Sequence, residues 1–143
     1  MKGLTIREAR IKDAEQISYL LDELGYPNSR SFSESKIRKL SKSNNDVVVV
    51  AVKDNKVVGV AHLHNAELFH EMGKIGRIMA IVIDKNHQRI GVGKRLTRYL
   101  EKIARDNGCA KMEVTDNIRR NSAHEFYQKL GYLEKPKRFI KIF

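Results

Sequence analysis

The stretch that decides the fold lies between residues 81 and 94 and reads Ile81-Val82-Ile83-Asp84-Lys85-Asn86-His87-Gln88-Arg89-Ile90-Gly91-Val92-Gly93-Lys94. An apolar strand ends, a short loop turns, and a helix begins at two glycines. The first N–H groups of a helix have no internal acceptor and lie at the positive end of its dipole. Because glycine lets an anion approach the backbone closely, this loop is a candidate site for a phosphate or pyrophosphate. The glycine spacing excludes the P-loop and Rossmann motifs.

Around this stretch, hydrophobic periodicity divides the chain into short strands and amphipathic helices. The predicted helices are 14–24, 33–40, 91–107 and 121–131, and the predicted strands are 5–10, 46–53, 56–64, 75–84, 111–115 and 137–143. Asp13 is placed to cap the first helix, and Asp54-Asn55 is a hairpin signal between the second and third strands. A hairpin-rich first half followed by alternating strands and helices predicts an α/β fold, a mixed sheet with helices packed on it.

Length and composition bound the class of protein. The 143 residues suffice for one domain, 1–143, and the 41% hydrophobic content argues against disorder. The longest apolar runs, 47–52 and 78–83, are far shorter than the roughly 20 residues of a membrane helix. The N-terminus lacks the apolar stretch of a secretory signal, so we expect a cytoplasmic protein. Cys109 is the sole cysteine, which excludes an intrachain disulfide and a multi-cysteine metal site.

Positive charge is concentrated in two segments. The chain has 28 Lys and Arg against 17 Asp and Glu, a net charge of +11. Residues 84–111 carry eight basic and three acidic side chains, and residues 118–141 carry seven and two, so each segment has a net charge of +5. This excess indicates an anionic partner such as nucleic acid, a membrane surface or a phosphorylated small molecule. The alternative is that most of these side chains only solvate helix faces.

Two motifs resemble those of the GNAT superfamily of acetyl-CoA-dependent N-acetyltransferases. The family signature Q/R-x-x-G-x-G/A is similar to Gln88-Arg89-Ile90-Gly91-Val92-Gly93, which follows a strand ending at Ile83. A second signature is similar to the segment containing Asn121, Ala123, Phe126-Tyr127 and Gly131-Tyr132. The resemblance implies a mixed, largely antiparallel sheet of about seven strands flanked by about four helices. It also implies an acyltransferase that moves the acetyl group of acetyl-CoA, without a metal, to a primary amine of a small molecule or peptide by direct attack in a ternary complex.

The resemblance implies a role for each matching residue. Backbone groups of the strand end would meet the acetyl carbonyl and pantetheine arm, the loop would hold the pyrophosphate chiefly through main-chain N–H groups, and the second motif would pack beside the arm. The implied cofactor-binding residues are Ile81, Val82, Ile83, Gln88, Arg89, Ile90, Gly91, Val92, Gly93, Lys94, Asn121, Ala123 and Phe126. The phosphates of CoA carry a charge of about −4, which fits the basic segment 84–111. Ile90 and Val92 have the alternative of packing under the loop.

Tyr127 is the candidate general acid. By the resemblance it lies near the thioester sulfur, and the reference pKa values of a tyrosine and a thiol, about 10 and 8.5, are close enough for useful proton transfer to a departing thiolate. Helical periodicity alone favours a core aromatic at this position, whereas the motif favours the catalytic interpretation.

The general base remains open at this stage. Glucosamine-phosphate acetyltransferases, which the chain resembles around 76–83, carry carboxylates on that strand, and residues 76–82 here contain none. The nearest candidates, each of which is also an ordinary solvated side chain, are Glu67, His70, Glu71, His62 and His64. A chain of water molecules is a further candidate. His62 and His64 lie on one face of a strand, but no third ligand follows by spacing, so no metal is expected.

The acceptor and the assembly also remain open. Residues 26–40 and 64–74 are expected to select the amine. Glu34, Glu67 and Glu71 suit a cationic acceptor, whereas Arg77 and the basic residues of the C-terminal tail suit an anionic one. Homodimers are common in the family, and the last strand is a candidate contact. Two other functions compete with the enzyme: a basic nucleic-acid- or ribosome-binding protein, for which no recognition motif is present, and a non-catalytic acetyl-CoA sensor. We expect no membrane or nucleic-acid partner.

Overall fold

A computed structural model describes residues 2–27, 29–88, 90–115, 121–135 and 139–143, with the backbone alone at residues 29 and 121–124. Within these residues the strands are β1 (Leu4–Glu8), β2 (Asp46–Lys53), β3 (Lys56–Glu67), β4 (Lys74–Ile83) and β5 (Cys109–Val114). The α-helices are α1 (Ala14–Glu23), α2 (Ser33–Ser41), α3 (Val92–Asp106) and α4 (Asn121–Lys129). The strands form one sheet in the order β1-β2-β3-β4-β5, with β4 and β5 parallel and every other pair antiparallel.

The predicted α/β class and mixed sheet are confirmed, and the number of strands in the described residues is smaller than expected. The described residues form five strands instead of about seven. The predicted last strand, 137–143, is not present in its described part, because residues 139–143 have no regular structure; residues 137 and 138 lie outside the described part of the chain. An alternating pattern shows that a segment suits a sheet face, but a strand also needs a neighbouring strand to bond.

The β2–β3 hairpin forms as predicted and contains one irregularity. Asp54 and Asn55 have φ values of 51° and 62°, the left-handed pair that a two-residue type I′ turn requires. The register then shifts at Ala51 and Val52. As a result Asp46 lies opposite His64 instead of Leu63, which determines the polar part of the candidate site.

The middle of β4 is bulged, and its second half is an open edge. Across the β3–β4 pair, His62 lies opposite Ala80 and Leu63 opposite Ile78, so Met79 is the extra residue. Pairing with β5 covers only 74–78 of β4. Residues 79–83 therefore have a strand neighbour on the β3 side and none on the β5 side within the described part of the chain.

Apolar side chains cover both faces of the sheet. On one face α3 packs over a cluster that includes Val49, Leu63 and Leu96, all fully buried. On the other face α1 and α2 pack over a cluster that includes Val50 and Ile37. Full burial of such a side chain contributes about 1.5–3 kcal/mol. In the described residues, each helix is too short or too polar to cross a membrane.

Asp13 occupies the N-cap position immediately before α1, but its side chain makes no capping hydrogen bond to the helix. Its carboxylate oxygens accept two bonds from the Arg7 guanidinium, at 2.7 and 2.9 Å, and one from the Arg10 N–H at 2.7 Å. Chiefly because of the Arg7 bonds, the pKa of Asp13 lies below its usual value. The buried carboxylate thus joins β1 to the start of α1.

Candidate cofactor and acceptor site

The loop after β4 is held by a small set of polar bonds. The Asp84 N–H donates to the Val58 carbonyl at 2.9 Å, and the buried Asp84 carboxylate lies 2.6 Å from His87 Nδ1. Gln88 Nε2 donates to the Ile83 carbonyl at 3.1 Å. The sequence analysis missed Asp84 and His87, although an acid and a histidine three residues apart after a buried strand were a usable signal. These three bonds fix the conformation of the turn that follows β4.

The start of α3 has the features predicted for an anion site. Gly91 precedes the helix with a φ of 94°, a left-handed conformation that side chains other than glycine rarely adopt. The first helical bond is donated by Arg95 to the Gly91 carbonyl, at 3.1 Å. The N–H groups of residues 92–94 precede that bond and lack an acceptor within the helix. The helix therefore presents donors and the positive end of its dipole to the loop.

The other residues of this motif divide into buried, exposed and undescribed positions. The Val92 side chain is fully buried in the core, as the packing alternative predicted, while Ile90 is 45% exposed. Val92 can still contribute its backbone N–H to an anion, because burial of its side chain does not occupy that group. Arg89 lies outside the described residues.

Gly93 brings the end of β4 and α4 together. A Cβ atom at this position would lie 2.8 Å from Ile83 Cδ1 and 3.2 Å from Phe126 Cζ. Both distances are shorter than an ordinary carbon contact of about 3.5–4.0 Å. Three predicted cofactor residues from three elements are thus in one place, and the contact requires glycine at residue 93.

Tyr127 lies in a cluster of three aromatic rings formed by α4 and the residues that follow it. Its ring centroid is 5.0 Å from that of Phe126 and 5.7 Å from that of Tyr132, with edge-to-face geometry in both pairs. The Tyr132 hydroxyl donates to the buried Glu101 carboxylate of α3 at 2.8 Å. Burial, followed by this bond, raises the pKa of Tyr132, so Tyr132 stays neutral and supports the Tyr127 ring. The sequence analysis recognised Tyr132 as a motif position but not its bond to Glu101.

Two predicted pantetheine contacts are described only by their backbone. Asn121 and Ala123 lie in the first turn of α4. Their side chains lie outside the described part of the structure, so their predicted contacts stay predictions.

A cavity of about 190 Å³ lies between the sheet and the α1–α2 pair, beside the open part of β4. Its walls are mostly apolar, with Lys36, Ser33 and His62 as the polar members. The lining residues are Ile17, Leu21, Phe32, Ser33, Lys36, Ile37, Leu40, Val48, Val60, Ala61, His62, Ala80 and Val82. Of the two regions expected to select the acceptor, 26–40 contributes to this lining, whereas 64–74 does not.

Two histidines share a carboxylate at the edge of this cavity. Asp46 Oδ1 lies 2.8 Å from His62 Nε2 and 2.9 Å from His64 Nδ1, and Oδ2 accepts a bond from the Ser43 hydroxyl at 2.7 Å. Burial acts to raise the pKa of Asp46, but the bonds from Ser43 and the two imidazoles together lower it below its usual value. Asp46 is therefore a carboxylate at neutral pH.

The other candidate bases lie at the wrong end of the sheet. Glu67 is opposite Lys74, at the start of β4. Six residues at about 3.3 Å each put that position roughly 20 Å from Ala80. Glu71 binds Lys111 at 2.6 Å and lies 3.5 Å from His70. These three residues are thus remote from the open edge of β4.

Arg77 and the basic face of α3 already have partners in the protein. Arg77 Nε binds Glu113 on the neighbouring β5, so Arg77 is not a free cation for an acceptor. On α3, Arg95 donates to the Leu4 carbonyl and Arg98 binds Glu101. This favours the view that many of the excess cations stabilise and solvate the fold.

Cys109 is a structural thiol. It is half-buried, its Sγ–H donates to Asn65 Oδ1 at 3.2 Å, and burial raises its pKa. A protonated thiol is a poor nucleophile. Among the residues that the structure describes, no group of three or more His, Cys, Asp or Glu side chains is arranged to hold a metal ion.

Comparison with known proteins identifies the same family as the sequence motifs. The acetyltransferase (GNAT) family model matches residues 11–132. An aminoalkylphosphonate N-acetyltransferase of Salmonella typhimurium is 33% identical over 92 residues, which are 64% of this chain and 60% of that enzyme. This chain therefore spans less than two thirds of the relative.

Solved structures share the fold over nearly the whole chain. The glucosamine-6-phosphate N-acetyltransferase of Arabidopsis thaliana superimposes with a TM-score of 0.84 at 22% identity, covering 98% of both chains. An aminoglycoside N-acetyltransferase crystallised with CoA has a TM-score of 0.87 at 15% identity, covering 98% of this chain and 94% of the other. At these identities the likeness concerns the fold.

Proposed function

This chain belongs to the acetyltransferase (GNAT) family, and we propose that it transfers the acetyl group of acetyl-CoA to a primary amine of a small molecule or peptide. The acetyl donor and the acceptor meet in a ternary complex, and the amine attacks the acetyl carbonyl directly. The related enzyme of Salmonella typhimurium is named for an amine acceptor that carries a phosphonate.

The observation that carries the proposal is the open edge of β4 next to the start of α3. Pantetheine contains amides, which can pair with the backbone of 79–83 as a short added strand. Its pyrophosphate then reaches the N–H groups of residues 92–94, where the helix dipole favours negative charge. Gly93 is buried, and the side chains of Ile83 and Phe126 occupy the space that its own side chain would need, so Gly93 can offer the diphosphate its backbone N–H. The residues present therefore fit acetyl-CoA.

The site residues divide the work of binding and proton transfer. When bound, acetyl-CoA supplies an acetyl group activated as a thioester. Gly91, Gly93 and Lys94 hold the diphosphate, while Ile81 and Ile83 orient the arm through their backbone. Tyr127 donates its hydroxyl proton to the departing thiolate, and Tyr132 keeps the Tyr127 ring in position. The proposed cofactor site is completed by Val82, Gln88, Arg89, Ile90, Val92, Asn121, Ala123 and Phe126.

The cavity beside β4 is the proposed acceptor site. Its apolar walls suit the body of a small amine, and Lys36 adds one positive charge. Two of the three acids expected to suit a cationic acceptor are engaged elsewhere: Glu34 binds Arg38 at 3.0 Å and Glu71 binds Lys111. These contacts and the net charge of +11 favour an amine that also carries an anionic group.

Two measurements test the function. Calorimetry should detect CoA and acetyl-CoA binding to the purified protein, and thiol release should follow when a panel of amines is added. The absence of CoA binding at millimolar concentration contradicts the cofactor site. CoA binding without thiol release on a broad amine panel contradicts the enzyme and supports an acetyl-CoA sensor.

A tyrosine variant separates the enzyme from the sensor. Tyr127→Phe should lower kcat about 10²–10⁴-fold, the contribution of a general acid, with little change in CoA affinity. Tyr19→Phe is the matched control, because Tyr19 is 52% exposed and its hydroxyl meets only Glu15 among the bonds described, at 3.3 Å. Equal kcat in the two variants contradicts the role of Tyr127.

A further inference from the structure

We propose that His62, oriented by Asp46, is the general base that takes the proton from the incoming ammonium group. This inference rests on the proposed acetyltransferase function. It assigns a catalytic role to a residue of β3, on the strand next to the one that binds the cofactor.

An amine acceptor must lose a proton before it can attack. Alkyl ammonium groups have a pKa of about 10 and are mostly charged at neutral pH. The part of β4 that faces the cavity offers only Ala80 and Val82, neither of which can accept a proton. A side-chain base for this step must therefore come from another element that lines the cavity.

His62 occupies the required place. It lines the cavity and lies opposite Ala80, immediately beyond the bulge at Met79 where the edge of β4 becomes open. Directly opposed residues on antiparallel strands have Cβ atoms about 4.5–5.5 Å apart. Its side chain is 22% exposed, so the imidazole is in contact with both the cavity and the protein.

The Asp46 bond decides which ring nitrogen is available. Asp46 is a carboxylate and can only accept a bond, so His62 Nε2 carries the hydrogen in the 2.8 Å contact. In the neutral imidazole the lone pair is then on Nδ1. Ser43 donates to the other oxygen of Asp46 at 2.7 Å, which holds the carboxylate in place.

The charges around His62 come from three elements. Asp46 on β2 is negative, His64 on β3 shares its Oδ1, and Lys36 on α2 lines the same cavity. The α1 residues that line it, Ile17 and Leu21, are apolar. Lys36 is itself an exposed residue of the cavity wall.

The proposed step balances as follows. The ammonium R–NH₃⁺ gives one proton to His62 Nδ1, and the resulting amine forms a C–N bond with the acetyl carbon. The C–S bond then breaks with its electron pair on sulfur, and the thiolate takes the Tyr127 proton. The second proton of the attacking nitrogen returns to Tyr127 through solvent, and His62 releases its proton. The products are the acetamide, CoA–SH and one H⁺.

The first test compares two acceptors. With a primary alkylamine, His62→Gln should lower kcat/KM about 10²–10⁴-fold near pH 7, the range expected for a general base. With methoxyamine, which is largely neutral at that pH, the loss should be much smaller. His70→Gln is the control, because the His70 side chain is 75% exposed and remote from the cavity. An equal loss with both acceptors overturns the base role and indicates a structural one.

The second test follows the pH profile. The kcat/KM of the unmodified enzyme with the alkylamine should fall as the pH drops through the range where imidazoles take up a proton, and this limb should vanish in His62→Gln. Asp46→Asn should reduce kcat/KM for the alkylamine, while the KM for acetyl-CoA should be unchanged. Persistence of the same acidic limb in His62→Gln overturns the proposal.

A third readout is independent of turnover. Nitrogen-15 NMR of the unmodified protein at pH 8 should show His62 as the tautomer with hydrogen on Nε2. The tautomer with hydrogen on Nδ1 overturns the proposal even if the variants fail to fold. Calorimetry with CoA separates the two claims: a protein that does not bind CoA contradicts the proposed function, whereas a CoA-binding, active protein with an insensitive His62→Gln variant contradicts only the base.

Discussion

Replacement of Gly93 by alanine tests whether the contact between β4, α3 and α4 shapes the cofactor site. The new Cβ would lie 2.8 Å from Ile83 Cδ1 and 3.2 Å from Phe126 Cζ. Because carbon contacts settle at about 3.5–4.0 Å, the Ile83 side chain must give way by about 1 Å. Overpacking of this kind costs about 1–3 kcal/mol, and the better helix propensity of alanine offsets up to about 1 kcal/mol. We expect a net loss of stability of about 1 kcal/mol.

The result that tests the contact is the change in the affinity of the protein for CoA. Both displaced side chains belong to the proposed cofactor site, so calorimetry should show CoA affinity about tenfold lower in Gly93→Ala, which is about 1.4 kcal/mol. Thermal unfolding should show a fall in Tm of about 4 °C per kcal/mol.

Gly76→Ala is the matched control for this prediction. Its Cβ would lie 2.7 Å from Met112 Sδ and 2.9 Å from Ala104 Cβ, so it overpacks the interior between β4, β5 and α3. We expect Gly76→Ala to lower the Tm while CoA affinity is retained. If Gly93→Ala is destabilised but binds CoA as tightly as the unmodified protein, the contact does not shape the cofactor site.

Three further predictions concern the backbone conformation of Gly91, the support of Tyr127 by Tyr132, and the pH dependence of the stability that Asp13 contributes. Gly91→Ala should lower stability by about 1–2 kcal/mol and weaken CoA binding, because alanine is strained at a φ of 94°; unchanged Tm and calorimetry contradict this. Tyr132→Phe should cost about 1–3 kcal/mol in urea unfolding and reduce kcat, since Glu101 loses its 2.8 Å donor; an intact kcat excludes the supporting role. The pKa of Asp13 is lowered in the fold by Arg7, so its contribution to stability is present above about pH 4 and is lost as pH falls through the folded-state pKa. Asp13→Asn should therefore be less stable at pH 7, with the difference narrowing on acidification; a pH-independent difference refutes the assignment.

The turn between β4 and α3 was predictable because its signals are local. The two glycines, the apolar strand before them and the amphipathic helix after them lie within 81–94, and each acts through backbone conformation or helix-end chemistry. The hairpin turn at Asp54-Asn55 was predictable for the same reason, since both residues tolerate positive φ.

The candidate base could not be selected from the sequence because its geometry depends on register. A regular β2–β3 hairpin would place Asp46 opposite Leu63, and the shift at Ala51 and Val52 places it opposite His64. A one-residue slip reverses which face each side chain occupies. The sequence also could not exclude Glu67 and Glu71 as the base. They are close to β4 in the chain, but they lie beside its first residue, at the end opposite to its open edge.

The sequence by itself determined the α/β class, the position of nearly every helix and strand, and the loop proposed to hold diphosphate, since these follow from periodicity and from the backbone preferences of glycine, aspartate and asparagine. Only the tertiary structure decided where β4 and β5 separate, which glycine lies against Ile83 and Phe126, and which histidine lines the cavity beside Ala80. Those features arise from bulges and from packing between elements distant in the chain, and no local pattern of residues encodes them.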